Sequence, residues 1–105
     1  MFKKLRHWLR HSPHVHIRSE NVANMHDLVA TIDGFLDDKL TYDLHWDDFI
    51  SWKHKNPNIE AIRNRIAATE PLFLSDNPAD RKKAIAIVIE ERNRAAALVG
   101  IAPRS

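Results

Sequence analysis

Asn24-Met25-His26-Asp27-Leu28-Val29-Ala30-Thr31-Ile32-Asp33-Gly34-Phe35-Leu36 is the stretch that decides the fold class. Met25, Leu28, Val29, Ile32, Phe35 and Leu36 recur at the i, i+3, i+4, i+7 spacing that gathers apolar side chains on one face of an α-helix. Asn24 offers a capping side chain, and Asp27 brings a carboxylate to the positive end of the helix. Ser19 and Asn21 are earlier candidates for the same cap.

Working outward, the chain repeats this grammar. Thr41 can cap a helix of roughly residues 42–54, on which Leu44 or His45, Phe49 and Trp52 share one face and Trp46, Phe49, Ile50 and Lys53 an overlapping one. Asn56-Pro57 supplies a cap and a first-turn proline for a helix to about Glu70, with Ile59, Ile62 and Ile66 inward. Pro71 to Asp76 reads as a connector whose Leu72, Phe73 and Leu74 tuck into the core. Asn77-Pro78 opens a last helix over about 78–99, with Ala84, Ile85, Val88, Ile89, Ala95, Ala96 and Val99 in period. Gly100 suits the left-handed position beyond a helix, and Pro103 blocks resumption. The apolar run Ile85 to Ile89 resembles a strand, but its place inside a long capped segment makes it helical. Upstream, Phe2, Leu5, Trp8 and Leu9 form an apolar stripe with basic residues opposite, Ser12-Pro13 ends that helix, and His14 to Glu20 is an extended connector. The expectation is an all-α protein: a small orthogonal bundle of about four main helices plus a short N-terminal amphipathic helix. A basic, histidine-rich start over 1–18 precedes one helical domain over 19–105.

Composition narrows the function classes. With 105 residues the chain suits one modest core, and two glycines, Gly34 and Gly100, are too few for tightly turned sheets or a phosphate-cradling loop. No cysteine is present, which excludes disulfides, thiolate metal sites and cysteine nucleophiles, and fits a reducing cytoplasm. No apolar run reaches transmembrane length, and the start lacks the apolar core of a secretory signal. G-x-S-x-G, H-E-x-x-H and related signatures are missing. The expected protein is therefore not an enzyme, binds no cofactor and takes no small-molecule substrate.

Charge is segregated along the chain. Residues 1–18 carry Lys3, Lys4, Arg6, Arg10 and Arg18 without an acid, whereas residues 19–60 carry nine acids against three lysines. Residues 61–105 return to eight basic against five acidic residues. Such asymmetry bears on partners rather than on fold.

Four features invite a functional reading. His7, His11, His14 and His16 have metal-ligand spacings, but the positive charge around them opposes a cation, and no metal is assigned. Trp46-Asp47-Asp48-Phe49-Ile50-Ser51-Trp52, preceded by Asp43 and His45, carries neighbouring carboxylates. Adjacent helical acids point about 100° apart, so they do not share one small acid–base site. Residues 2–11 suit weak contact with a membrane surface. Arg63, Arg65, Arg81, Lys82, Lys83, Arg92 and Arg94 form a basic helical face, but Glu90 and Glu91 interrupt it, Arg94 has Glu90 at i, i+4, and no helix-turn-helix is present; nucleic acid is the weaker partner class.

Phe35-Leu36, a spacer, Trp46-Asp47-Asp48-Phe49-Ile50-Ser51, then Asn56-Pro57 and Ile59-Glu60-Ala61-Ile62-Arg63 together resemble a group of small uncharacterised bacterial proteins. These carry a W-D-D-F-x-S motif followed by a proline-led helix with an I-E-x-I-R-like start. The resemblance spans residues 28–66 and implies a bacterial cytosolic protein, with no activity attached. The expected function is a non-enzymatic protein-interaction module. Its acidic segment 37–52 docks a basic partner through Asp37, Asp38, Asp43, Trp46, Asp47, Asp48 and Trp52. An immunity protein that blocks a basic toxin is one concrete version, and a second copy of the chain is another partner.

Overall fold

The computed structural model describes residues 22–37, 45–51 and 53–105. Outside them lie the expected N-terminal helix and connector, the His7/His11/His14/His16 group, the Thr41 cap, most of the 37–40 turn, and three nominated contact residues, Asp38, Asp43 and Trp52. Among the described residues every regular element is a helix: α1 Met25–Leu36, α2 Asp47–Ser51, α3 Pro57–Ala67, α4 Glu70–Phe73 and α5 Pro78–Leu98. The all-α expectation holds.

Each long helix starts where its side chains satisfy the first free N–H groups. Asn24 Oδ1 accepts from the Asp27 N–H at 3.0 Å, and Asp27 Oδ2 accepts from the Ala23 N–H at 2.9 Å, so the two side chains cap α1 reciprocally. Asn56 Oδ1 accepts from the N–H groups of Asn58 and Ile59 at 2.9 and 3.3 Å. Asn77 Oδ1 accepts from the Ala79 N–H at 3.0 Å. In both cases proline takes the next position, where its missing N–H leaves nothing unpaired. At the other end of α5, Gly100 has φ 75° and the Ile101 N–H reaches back to the Ala96 carbonyl at 2.9 Å. This left-handed closure turns the chain back along its own helix.

Three boundaries differ from expectation. The helix expected over about 42–54 ends at Ser51, and Lys53 and His54 lie outside any helix. The helix expected to run to Glu70 ends at Ala67, because Pro71 lacks the N–H that would continue the ladder and crowds the carbonyl four residues earlier. The chain then restarts as the single turn α4, within a stretch expected to be a connector. Phe73 of that turn packs on the core, whereas Leu74, one helical step on, is 61% exposed. Leu74 is thus not tucked in. The same step of about 100° on α5 buries Ala84 and Val88 but leaves Ile85 exposed.

The core gathers Val22, then Leu28, Val29, Ile32 and Phe35 of α1, Trp46 and Phe49, Ile59, Ile62 and Ile66 of α3, and Val88, Ala95 and Ala96 of α5. α1 and α5 form its most extensive pairing, where the alanines of α5 permit close approach. α2 packs on α3, and α4 on α5. No described helix is long and apolar enough to cross a membrane.

Candidate interaction surface

The acidic, aromatic stretch has an inside and an outside. Trp46 is only 3% exposed and sits among rings: its centroid is 5.5 Å from Phe35 and 5.4 Å from Phe73, both edge-on, and 6.1 Å from Phe49. Phe35 and Phe49 meet edge-on at 5.4 Å. Such pairs stabilise beyond their buried area by about 0.5–1.5 kcal/mol each. The indole N–H donates to Glu70 Oε2 at 3.2 Å, so the polar edge of the ring is satisfied within the molecule. The nomination of Trp46 as a partner contact is therefore corrected: the ring fills the space among α1, α2 and α4. Asp47 and Asp48 lie in the first turn of α2, half-buried, above this cluster. Their carboxylates complement the helix dipole there.

Asp37 lies at the end of α1 and belongs to a charged network that the sequence did not reveal. Arg92, its side chain 8% exposed, grips Asp33 through Nε at 2.9 Å and Nη2 at 3.2 Å. Arg104 donates to Asp33 Oδ1 at 2.9 Å and to Asp37 Oδ1 at 2.7 Å. Burial pushes the Asp33 carboxyl up, but the hydrogen bonds from Arg92 and Arg104 outweigh it and hold it below the ordinary carboxylate value. Asp37 first, and Asp33 second, raise the Arg104 guanidinium further above its already high range. Only Asp37 of this group was nominated; Asp33 is close to 60 or more residues in sequence from both arginines, beyond the reach of any periodic pattern.

A second network ties the approach to α3. Arg63, with a side chain 5% exposed, donates to Glu60 through Nε at 2.9 Å and Nη2 at 2.8 Å, to the Ile50 carbonyl at 2.9 Å, and to Asn64 Oδ1. Glu60 Oε1 also accepts from the His54 N–H at 2.9 Å. The Arg63 hydrogen bonds, working against burial, bring the Glu60 carboxyl down to about 2. The His54 ring accepts the Asn56 N–H on Nδ1 at 3.0 Å, which leaves Nε2 as the donor to the Val22 carbonyl at 2.6 Å. One side chain thereby binds the start of α3 to the segment that enters α1.

The basic helical face is largely engaged in the fold. Arg63 and Arg92 are interior, and Arg65 and Arg94 both pair with the buried Glu91, at 2.7 and 3.3 Å. Arg94 thus has Glu91 at i, i+3 as its recorded partner, rather than the expected Glu90, because Glu91 lies on the side of α5 that faces α3. Arg81, Lys82 and Lys83 remain exposed on the first turns of α5. Among the described residues no group of three or more histidines and carboxylates is placed to hold a metal ion. No protein-family model, curated protein or solved structure matches the chain.

Proposed function

We propose that this chain is a non-enzymatic protein-interaction module whose acidic edge, from the end of α1 to the start of α2, receives basic side chains of a partner. One observation carries the reading: the edge already holds a guanidinium, since Arg104 lies between Asp33 and Asp37 at 2.9 and 2.7 Å. Asp47 and Asp48 extend the acidic character onto α2, over an aromatic cluster that fixes the backbone beneath them. A rigid base with half-exposed carboxylates is suited to steering and to register rather than to bulk affinity. A bacterial cytoplasmic inhibitor of a basic toxin remains the concrete version of this reading. The competing basic surface for nucleic acid has less support, because four of its seven nominated cations are engaged in ion pairs.

The test is capture by the tagged full chain from nuclease-treated host lysate, side by side with the Asp47→Lys, Asp48→Lys double variant. A stoichiometric basic protein retained by the parent, released by salt and lost by a variant of unchanged helicity is the expected result. Equal capture by both chains, or recovery of the bait alone, overturns the proposal.

A further inference from the structure

Among the described residues Glu91 is the one buried carboxylate, yet the two cations paired with it are not buried. Its side chain is 3% exposed, whereas those of Arg65 on α3 and Arg94 on α5 are 46% and 54% exposed. Arg65 Nε donates to Glu91 Oε1 at 2.7 Å, and Arg94 Nε lies 3.3 Å from the same oxygen. Taking a carboxylate out of water is costly, and an apolar residue of similar volume often serves the fold as well or better at such a position. Packing alone therefore gives no account of Glu91. What the side chain does is hold two guanidiniums by their Nε ends against one atom.

Both arginines are gripped on one edge only. Among the described residues, no Nη atom of Arg65 or Arg94 has a hydrogen-bond partner. Two cations share one anion, so the site is net positive and the guanidiniums repel each other across the carboxylate. A further anion relieves that repulsion without drawing either Nε away from Glu91. Arginine forks match the oxygens of carboxylates and phosphates. A planar carboxylate fills one fork. A tetrahedral phosphoryl group offers oxygens in more than one direction and carries more charge, so it suits two forks that meet at one point. The ion pairs that take these two arginines out of a broad basic face are what fix them here.

The other exposed cations of α5 lack this arrangement. Arg81, Lys82 and Lys83 are consecutive, so they fan around the helix at about 100° intervals, and no ion pair among the described residues fixes them. Glu90, exposed one turn before Arg94, is the neighbouring charge that works against an anion.

We propose that Arg65 and Arg94, pinned on Glu91, form a binding site for a phosphoryl group, as free phosphate or as a phosphate monoester. The two Nη forks make the contacts, and Glu91 is a positioning residue. The site lies between α3 and α5 and shares no residue with the acidic edge of α1 and α2, so either assignment can fail alone.

The experiment titrates the isotope-labelled full chain with inorganic phosphate and, separately, with methyl phosphate. The arginine Nε–Hε signals are followed by nuclear magnetic resonance, with sodium chloride at matched ionic strength as the blank. Saturable shifts of Arg65 and Arg94, with Arg81 unmoved, are expected for at least one probe, and the tighter probe tells free phosphate from an ester. Arg94→Lys keeps the charge but loses the fork, and should weaken binding at least about fivefold with an unchanged circular dichroism spectrum. Should that variant not fold, Arg65→Lys replaces it. Glu90→Gln should tighten binding by about twofold. Shifts no larger than chloride produces, equal affinity in the parent and the lysine variant, or Arg81 moving as far as Arg65 and Arg94 overturns the proposal.

Discussion

Two buried arginines of nearly equal exposure, Arg63 at 5% and Arg92 at 8%, hold together regions of very different character. Arg63 is held mainly by neighbours in sequence, Glu60 one turn earlier and Asn64 beside it, and also reaches the Ile50 carbonyl on α2. Arg92 reaches a carboxylate 59 positions away and a carbonyl of the tail. The first network centres on one carboxylate within α3, and its bonds to the Ile50 carbonyl and the His54 N–H are the ones that break when α3 leaves the core. The second has an inner pair, Arg92 with Asp33, and an outer, more exposed pair, Arg104 with Asp37. Similar chemistry thus ties one helix to its own approach in one place and joins distant segments of the chain in the other.

The sharpest way to break that comparison is to remove the shared carboxylate of the first network. Glu60→Ala removes the carboxylate paired with the buried Arg63 guanidinium and the acceptor of the His54 N–H; a loss of about 3–5 kcal/mol is expected in urea unfolding. Of similar origin but smaller is the acid limb of the stability curve. The Glu60 carboxyl stands at about 2 in the fold against an ordinary 4.5, so on acidification the unfolded chain takes up its proton first. Its contribution is complete above 4.5 and is lost as pH falls through about 2. Glu60→Gln should flatten urea midpoints across that window, while Asp33, also lowered, keeps a residual slope in the variant. Smallest is Gly100→Ala. No atom lies within 4 Å of the added methyl, so the cost is that of the left-handed backbone alone, about 1 kcal/mol in thermal or urea unfolding. A much larger loss would show that the bonds from Arg92 and Asn93 to residues 102 and 104 depend on this closure.

What could be read from the sequence follows the range of the interactions. The caps at Asn24, Asn56 and Asn77, the inward Ile59, Ile62 and Ile66, and the left-handed Gly100 all depend on residues within a few positions of each other, and all stand in the structure. Trp46 was recognised as an anchor but assigned to the wrong side, because an aromatic at helical spacing says nothing about whether its face meets α4 or solvent. The clasp of Asn93 and Arg104, and the His54 bridge to Val22, left no local trace: each joins groups through main-chain atoms or across an interval that periodicity does not encode.

The paired Asn-Pro caps carry a consequence for the lifetime of the molecule. Asparagine ages by attack of the following residue's main-chain nitrogen on the side-chain amide, which closes a ring and ends in an acid. At Asn56 and Asn77 that nitrogen belongs to a proline and has no hydrogen to lose, so this route to damage is closed where α3 and α5 begin. Of the three capping asparagines, only Asn24, followed by Met25, keeps that route open.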